Sequence, residues 1–261
     1  MSLMFLTRRG AMLTLAVWLT FGGGATAPAR AEQALVAVAA NFAAAARAMA
    51  PVFHEQTGDS IKVAIASTGR LRAQIVGGAP YDVMLSADQE TPDSLQAVGL
   101  VVPGSRFTYA KGKLAIWAPS EPKIGIDPVK ALTDPKVRHI AIANPKLAPY
   151  GKAAREVLDY LGAWKKVKDK IVMGQNIGQT FAMVQSGGAQ IGFIAASSLH
   201  GPKAPKGGSV FIVPADDYSA ILQDAALLKH GENNPAAKAF LTFLKGPKAR
   251  AIAARFGYGM P

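Results

Sequence analysis

The chain has 261 residues, 29 Lys+Arg against 17 Asp+Glu, no Cys, and half of its residues are hydrophobic. This composition excludes a disordered chain, which needs low hydrophobicity and dense charge, and excludes disulfide scaffolds, thiolate catalysis and Cys-type zinc sites. The formal net charge of +12 would suit a nucleic-acid or membrane partner, so its distribution along the chain matters.

Residues 1–31 read as an export signal. Arg8 and Arg9 form a basic start, and 11–21 (AMLTLAVWLTF) is an apolar run too short to span a bilayer. A Gly/Ala/Pro stretch then ends in Ala29-Arg30-Ala31. The small residues at 29 and 31 fit a signal-peptidase site, so cleavage is expected near Ala31 and the periplasm is the expected compartment. The mature chain alternates strands with helices. Residues 35–39, 61–66 and 83–86 read as short strands, followed in turn by helices over 42–53, 71–76 and 92–97. The pattern restarts with strands at 113–118 and 139–143, a helix over 152–161, a strand at 170–173, a helix over 179–185 and a strand at 191–195. Residues 210–214 precede a last strand at 225–229, and helices over 235–244 and 247–256 close the chain. Strands separated by helices imply βαβ units and mostly parallel sheets. Two such halves with a return at the end predict an α/β protein of two lobes.

Enzyme signals are missing. There is no GxSxG elbow, no GxxxxGK[ST] phosphate loop and no HExxH. His54, His139, His200 and His230 never pair at i+3 or i+4, so a metal or His-centred site is not expected. The basic run 165–170 (KKVKDK) lacks interleaved aromatics and reads as a solvated helix end, which argues against nucleic acid.

One feature recurs. Four times a strand ends in small or polar residues just where a helix begins: Ala40-Asn41, Ser67-Thr68-Gly69, Tyr150-Gly151 and Asn176-Ile177-Gly178. A helix start leaves N–H groups unpaired and carries the positive end of the helix dipole, so it attracts anions without Lys or Arg. Plain N-capping by Asn, Ser or Thr explains any single junction. Two junctions in each half, all at the carboxyl ends of strands, point instead to a shared ligand.

The runs VAVAANF (36–42), ASTGRLRAQI (66–75), GAPYDVMLSAD (78–88), PGSRFTYAKGKLAIW (103–117), IANPKLAPYGKAAREVLDYLG (142–162), NIGQ (176–179) and QIGFIA (190–195) resemble the molybdate-binding periplasmic proteins of ABC transporters. The likeness covers nearly all of 34–261. It implies a type II periplasmic-binding fold, with an oxyanion held between lobe 1 (32–112 with 213–261) and lobe 2 (113–212). It implies crossings near 111–112 and 213–214 and hinge closure on the ligand. It further implies ligand contacts from Ala40 (through its N–H alone) and Asn41, from Thr68 or its neighbour Ser67, from Tyr150 and from the N–H of Ile177. Ser86-Ala87-Asp88 is expected to support the cleft. The implied ligand is molybdate or tungstate, with no other cofactor or metal, and the implied partner is an inner-membrane ABC permease. A monomer that is not an enzyme is expected. A sulfate receptor of the same fold and a secreted hydrolase are the alternatives.

The charge fits this expectation. Residues 32–100 carry 4 basic and 7 acidic groups, residues 101–170 carry 14 and 6, and residues 171–261 carry 8 and 4. The excess sits mid-chain, and none of the candidate ligands is a Lys or Arg.

Overall fold

The computed structural model describes residues 31–202 and 204–261; the expected export signal, apart from Ala31, lies outside them. In chain order the elements are β1 (Gln33–Ala39), α1 (Ala43–Thr57), β2 (Ser60–Ala66), α2 (Thr68–Val76), β3 (Val83–Leu85), α3 (Glu90–Ala97), β4 (Phe107–Gly112) and β5 (Leu114–Ala118). Then come α4 (Pro128–Thr133), β6 (Ile140–Ala143), α5 (Pro149–Tyr160), α6 (Trp164–Val167), β7 (Ile171–Gly174), α7 (Ile177–Gln185) and β8 (Ile191–Ala195). The chain ends with β9 (Ser209–Ile212), β10 (Ile221–Leu227), α8 (Pro235–Lys245) and α9 (Pro247–Arg255). Short 3₁₀ turns follow β1 at Ala40–Phe42 and β8 at Ala196–Leu199.

The strands form two five-stranded sheets, in the orders β2-β1-β3-β10-β4 and β7-β6-β8-β5-β9. In the first, β1 pairs in parallel with β2 and β3, and β10 runs antiparallel to β3 and β4. The second repeats the plan: β6 is parallel to β7 and β8, and β5 is antiparallel to β8 and β9. Four strands of each sheet therefore run one way and one runs against them. The two-lobed, mostly parallel α/β architecture of the sequence reading is what the chain adopts. Consecutive strands β4 and β5 lie in different sheets, and so do β9 and β10.

Side-chain alternation along the buried strands fills both faces of each sheet. In the first sheet, Val36, Val38, Val83 and Leu85 pack against α1, α8 and α9, while Ala37 and Met84 meet Leu71, Ile75 and Leu95 from α2 and α3. In the second, Ile116, Ile140, Ile142 and Phe193 cover Val157 and Leu158 of α5, while Trp117, Ala141 and Ile194 meet Val184 of α7. Val157 and Leu158 are fully buried, and each contributes about 1.5–3 kcal/mol of apolar transfer. Their neighbours Ala153 and Ala154 are small enough to bring α5 close to β6.

Several elements differ from the sequence expectation. The last strand starts at Ile221, four residues before the expected 225, because Gln223 and Asp224 interrupt the apolar pattern yet are buried and hydrogen-bonded. β4 is an additional strand, of which only the end falls in the crossing expected near 111–112; its FTYAKG sequence carries too little apolar alternation to mark a strand. α4 is an additional short helix, started by Asp127, whose carboxylate accepts from the N–H groups of Val129 and Lys130.

Candidate ligand site between the lobes

The four junctions lie next to one another. Asn41 and Tyr150 are joined through Gln223. The Gly69 N–H donates to the Leu147 carbonyl at 2.9 Å, which joins the second junction to the third. A Cβ placed on Gly69 would lie 3.1 Å from that carbonyl oxygen, so glycine permits the approach. A Cβ on Gly178 would lie 3.8 Å from the Ala40 methyl, which joins the fourth junction to the first. Ser67 and Asn176 line one cavity of about 210 Å³, which joins the second to the fourth. The ring is closed, with two members on each lobe.

Each junction offers N–H groups. Those of Asn41, Thr68, Tyr150 and Ile177 have no hydrogen-bond partner among the described residues. Asn41, Ser67, Thr68, Tyr150 and Ile177 are all buried, and Ala40 is half-buried.

The side chains divide by role. Asn176 is a plain N-cap: its amide oxygen accepts from the Gln179 N–H at 2.9 Å. Ser67 stands at the N-cap of α2 and does not cap it. Its hydroxyl is buried and has no partner among the described residues. A buried hydroxyl left unpaired costs about 1–3 kcal/mol, and Ser67 is thus a donor still open at this junction. Thr68, the alternative at this junction, is partly committed: its Oγ1 accepts from the Ala87 N–H at 3.1 Å. That bond ties the second junction to Ser86-Ala87-Asp88, where Asp88 accepts from Ser86 and Thr91. Burial raises the Asp88 carboxyl above its usual range, partly offset by those bonds.

Two side chains make bonds that the sequence does not announce. The Asn41 amide nitrogen donates to Gln223 Oε1 (2.8 Å) and the Tyr258 hydroxyl (3.2 Å), so both of its hydrogens are engaged. The Asn41 carbonyl in turn accepts from Tyr258 (2.7 Å) and Ser197 (3.2 Å). The Tyr150 hydroxyl lies at Gln223 Nε2 (3.4 Å), beside Gly112. Both Asn41 amide hydrogens are thus committed, whereas the Tyr150 hydroxyl accepts here and its own hydrogen has no partner among the described residues; each residue also presents a backbone N–H. Gln223, Tyr109 and Tyr258 escaped sequence reasoning, because a lone Gln in an apolar strand and two scattered Tyr carry no motif. Burial raises the Tyr109, Tyr150 and Tyr258 hydroxyls, so all three stay protonated at neutral pH.

A larger space of about 730 Å³ flanks the Gly69–Leu147 contact, lined by charges of both signs, among them Arg72, Asp88, Lys152 and Glu156. It contains none of the six candidate ligands, and its charges balance, with Arg72, Lys146 and Lys152 facing Asp88, Glu90 and Glu156. Among the described residues no cluster of three or more His, Cys, Asp or Glu could hold a metal ion.

A two-lobed α/β protein with a neutral, donor-rich cleft between its lobes has the form of a solute receptor. Residues 34–259 match the family of bacterial extracellular solute-binding proteins, and the chain belongs to that family. It is 43% identical over 232 residues to the molybdate-binding protein ModA of Azotobacter vinelandii, covering 89% of this chain and 92% of that one. It is 42% identical over 235 residues to the ModA of Rhodobacter capsulatus, covering 90% and 91%. Among solved structures, the Azotobacter vinelandii periplasmic molybdate-binding protein superposes with a TM-score of 0.82 at 39% identity, covering 87% of this chain and 99% of that chain.

Proposed function

We propose that this protein captures molybdate in the periplasm and delivers it to an ABC importer in the inner membrane. The reading rests on one observation above the rest: the unpaired, buried Ser67 hydroxyl in a ring of unpaired N–H groups. Molybdate at neutral pH is a dianion without protons, so it only accepts hydrogen bonds. Backbone N–H and neutral hydroxyl groups suit it, and no carboxylate belongs to the ring. Monohydrogen phosphate carries a proton that needs an acceptor, which an all-donor ring lacks. Sulfate lacks a proton too, so only its smaller size distinguishes it. Tungstate matches molybdate in charge and size and is expected to bind about as well. The ligand contacts are assigned to the N–H groups of Ala40, Asn41, Thr68, Tyr150 and Ile177 and to the Ser67 hydroxyl.

The remaining assignments follow the same reading. Lobe 1 comprises 32–112 with 213–261 and lobe 2 comprises 113–212, supported by the change of sheet between β4 and β5 and between β9 and β10. The export signal is removed near Ala31, and the receptor works as a monomer, closing its lobes on the ion. The protein acts in transport and not as an enzyme, in keeping with its family.

Calorimetric titration with molybdate, tungstate, sulfate and phosphate tests the proposal. Heat is expected with the first two, together with a higher melting temperature by mass action. Binding of sulfate alone would make this a sulfate receptor, and silence from all four anions would overturn the oxyanion reading. The basic middle of the chain should steer the dianion, and the exposed Arg70 lines the 210 Å³ cavity beside Ser67. Arg70→Gln should therefore slow association several-fold at low salt, with the difference fading at about 0.5 M salt, where screening is strong. An association rate independent of salt would remove steering from the account.

A further inference from the structure

Gln223 is a buried side chain outside the ring whose amide bonds three other side chains. It is fully buried in β10, at a register shift against β4 between Gln223 and Asp224. Its Oε1 accepts from Asn41 Nδ2 at 2.8 Å and from the Tyr109 hydroxyl at 3.1 Å. Its Nε2 donates to the Tyr150 hydroxyl at 3.4 Å. Asn41 follows β1 in the first sheet, and Tyr150 opens the helix that follows β6 in the second. One amide therefore holds a junction from each lobe. Its surroundings are cut to fit: a Cβ on Gly112 would collide with the Tyr150 hydroxyl and lie 2.7 Å from Gln223 Nε2. Gly112 is also the last residue of β4, where the chain leaves the first sheet, and Gln223 lies near the start of β10, where it returns. The amide thus sits where the two lobes are connected.

We propose that Gln223 is a positioning residue that sets the registry of the two lobes in the anion-bound state. It does not touch the ion. Its acceptor end fixes Asn41 and its donor end fixes Tyr150, so that the N–H groups of both residues meet the same ion. The amide is suited to this because it accepts on one side and donates on the other. An apolar side chain of equal length does neither, and a carboxylate cannot donate. Without the amide each junction settles against its own lobe, and the closed state loses a lobe–lobe restraint. The loss should appear in the rate of ion release rather than the rate of capture, because capture begins from separated lobes.

The inference rests on the molybdate reading, and the experiment separates the two. Stopped-flow fluorescence on the purified protein measures association and dissociation of molybdate for the unsubstituted chain, Gln223→Met, Tyr150→Phe and the double variant. Failure of the unsubstituted chain to bind would overturn the functional reading itself. Given binding, Gln223→Met should raise the dissociation rate at least tenfold, with association within twofold. The double variant should release no faster than Gln223→Met alone, because the two single changes break the same restraint. An unchanged dissociation rate in Gln223→Met, or single effects that multiply in the double variant, would overturn the proposal. Gln223→Glu supplies a pH readout that also serves if Gln223→Met does not fold. A buried carboxyl titrates upward, and only its protonated form accepts and donates as the amide does. Its molybdate affinity should rise between pH 8 and pH 6 relative to the unsubstituted chain, and parallel profiles would overturn the proposal.

Discussion

Ser67→Ala is expected to weaken molybdate binding about 5- to 150-fold while leaving the ligand-free protein as stable as before or slightly more so. The two effects have opposite causes. In the ligand-free protein the hydroxyl is buried without a partner, so its removal relieves a desolvation cost. In the complex it is a donor to an oxygen with no other source for that bond. A plain N-cap would behave the other way: its loss costs about 1 kcal/mol of stability and leaves binding alone. Melting curves with and without molybdate distinguish the two. A lower melting temperature with unchanged affinity would return Ser67 to a capping role. Neighbouring residues should behave differently. Asn41→Ala removes an amide that bonds Gln223 and Tyr258, so it should lower stability along with affinity. Thr68→Val strands the Ala87 N–H and should cost about 1–3 kcal/mol of stability.

These contrasts also show how far the sequence could be read. The junctions were legible because their signals are local: small and polar residues at strand ends, glycine where backbones meet, and helical sequence just beyond. The choice between Ser67 and Thr68 was not legible. Both carry hydroxyls at the same helix start, and only packing against Ala87 commits one of them. Asn41 sits at a junction that the sequence marks, yet the bonding of its side chain is not legible there, because its partners Gln223 and Tyr258 lie 182 and 217 residues away. The same long-range pairing hid the start of β10. A strand reading ILQDAAL breaks the apolar run at Gln223 and Asp224, and nothing nearby announces that Thr108 will bond one and Tyr109 the other. Local chemistry marks where a site can form; partners distant in sequence decide which atoms face it.

Gly151→Ala should have the largest combined effect on fold and site. A Cβ at this position would collide with the Ala143 carbonyl oxygen and lie 2.7 Å from its carbon and 2.9 Å from the Asn144 carbonyl carbon. All of these are backbone atoms, which cannot rotate aside as a side chain can. The first turn of α5 must therefore lift from the end of β6, at a cost of about 1–3 kcal/mol in stability. That turn carries the Tyr150 N–H, and the loop before it carries the Leu147 carbonyl that receives the Gly69 N–H. Lifting the turn separates the third junction from the second and draws a donor out of the ring. Molybdate affinity should fall by more than about tenfold, since one lost hydrogen bond to a charged group is worth about 1.5–3 kcal/mol. Gly125→Ala is the matched control: a Cβ there meets nothing within 4 Å, and both stability and binding should hold. Thermal melting and calorimetry on the two variants read both quantities. If Gly151→Ala binds molybdate as tightly as the unsubstituted chain, the start of α5 does not contribute to the anion site. A ring built from backbone donors is open to this kind of damage, because its geometry is set by how closely helices approach strands. The residue that matters there is the one whose side chain is missing.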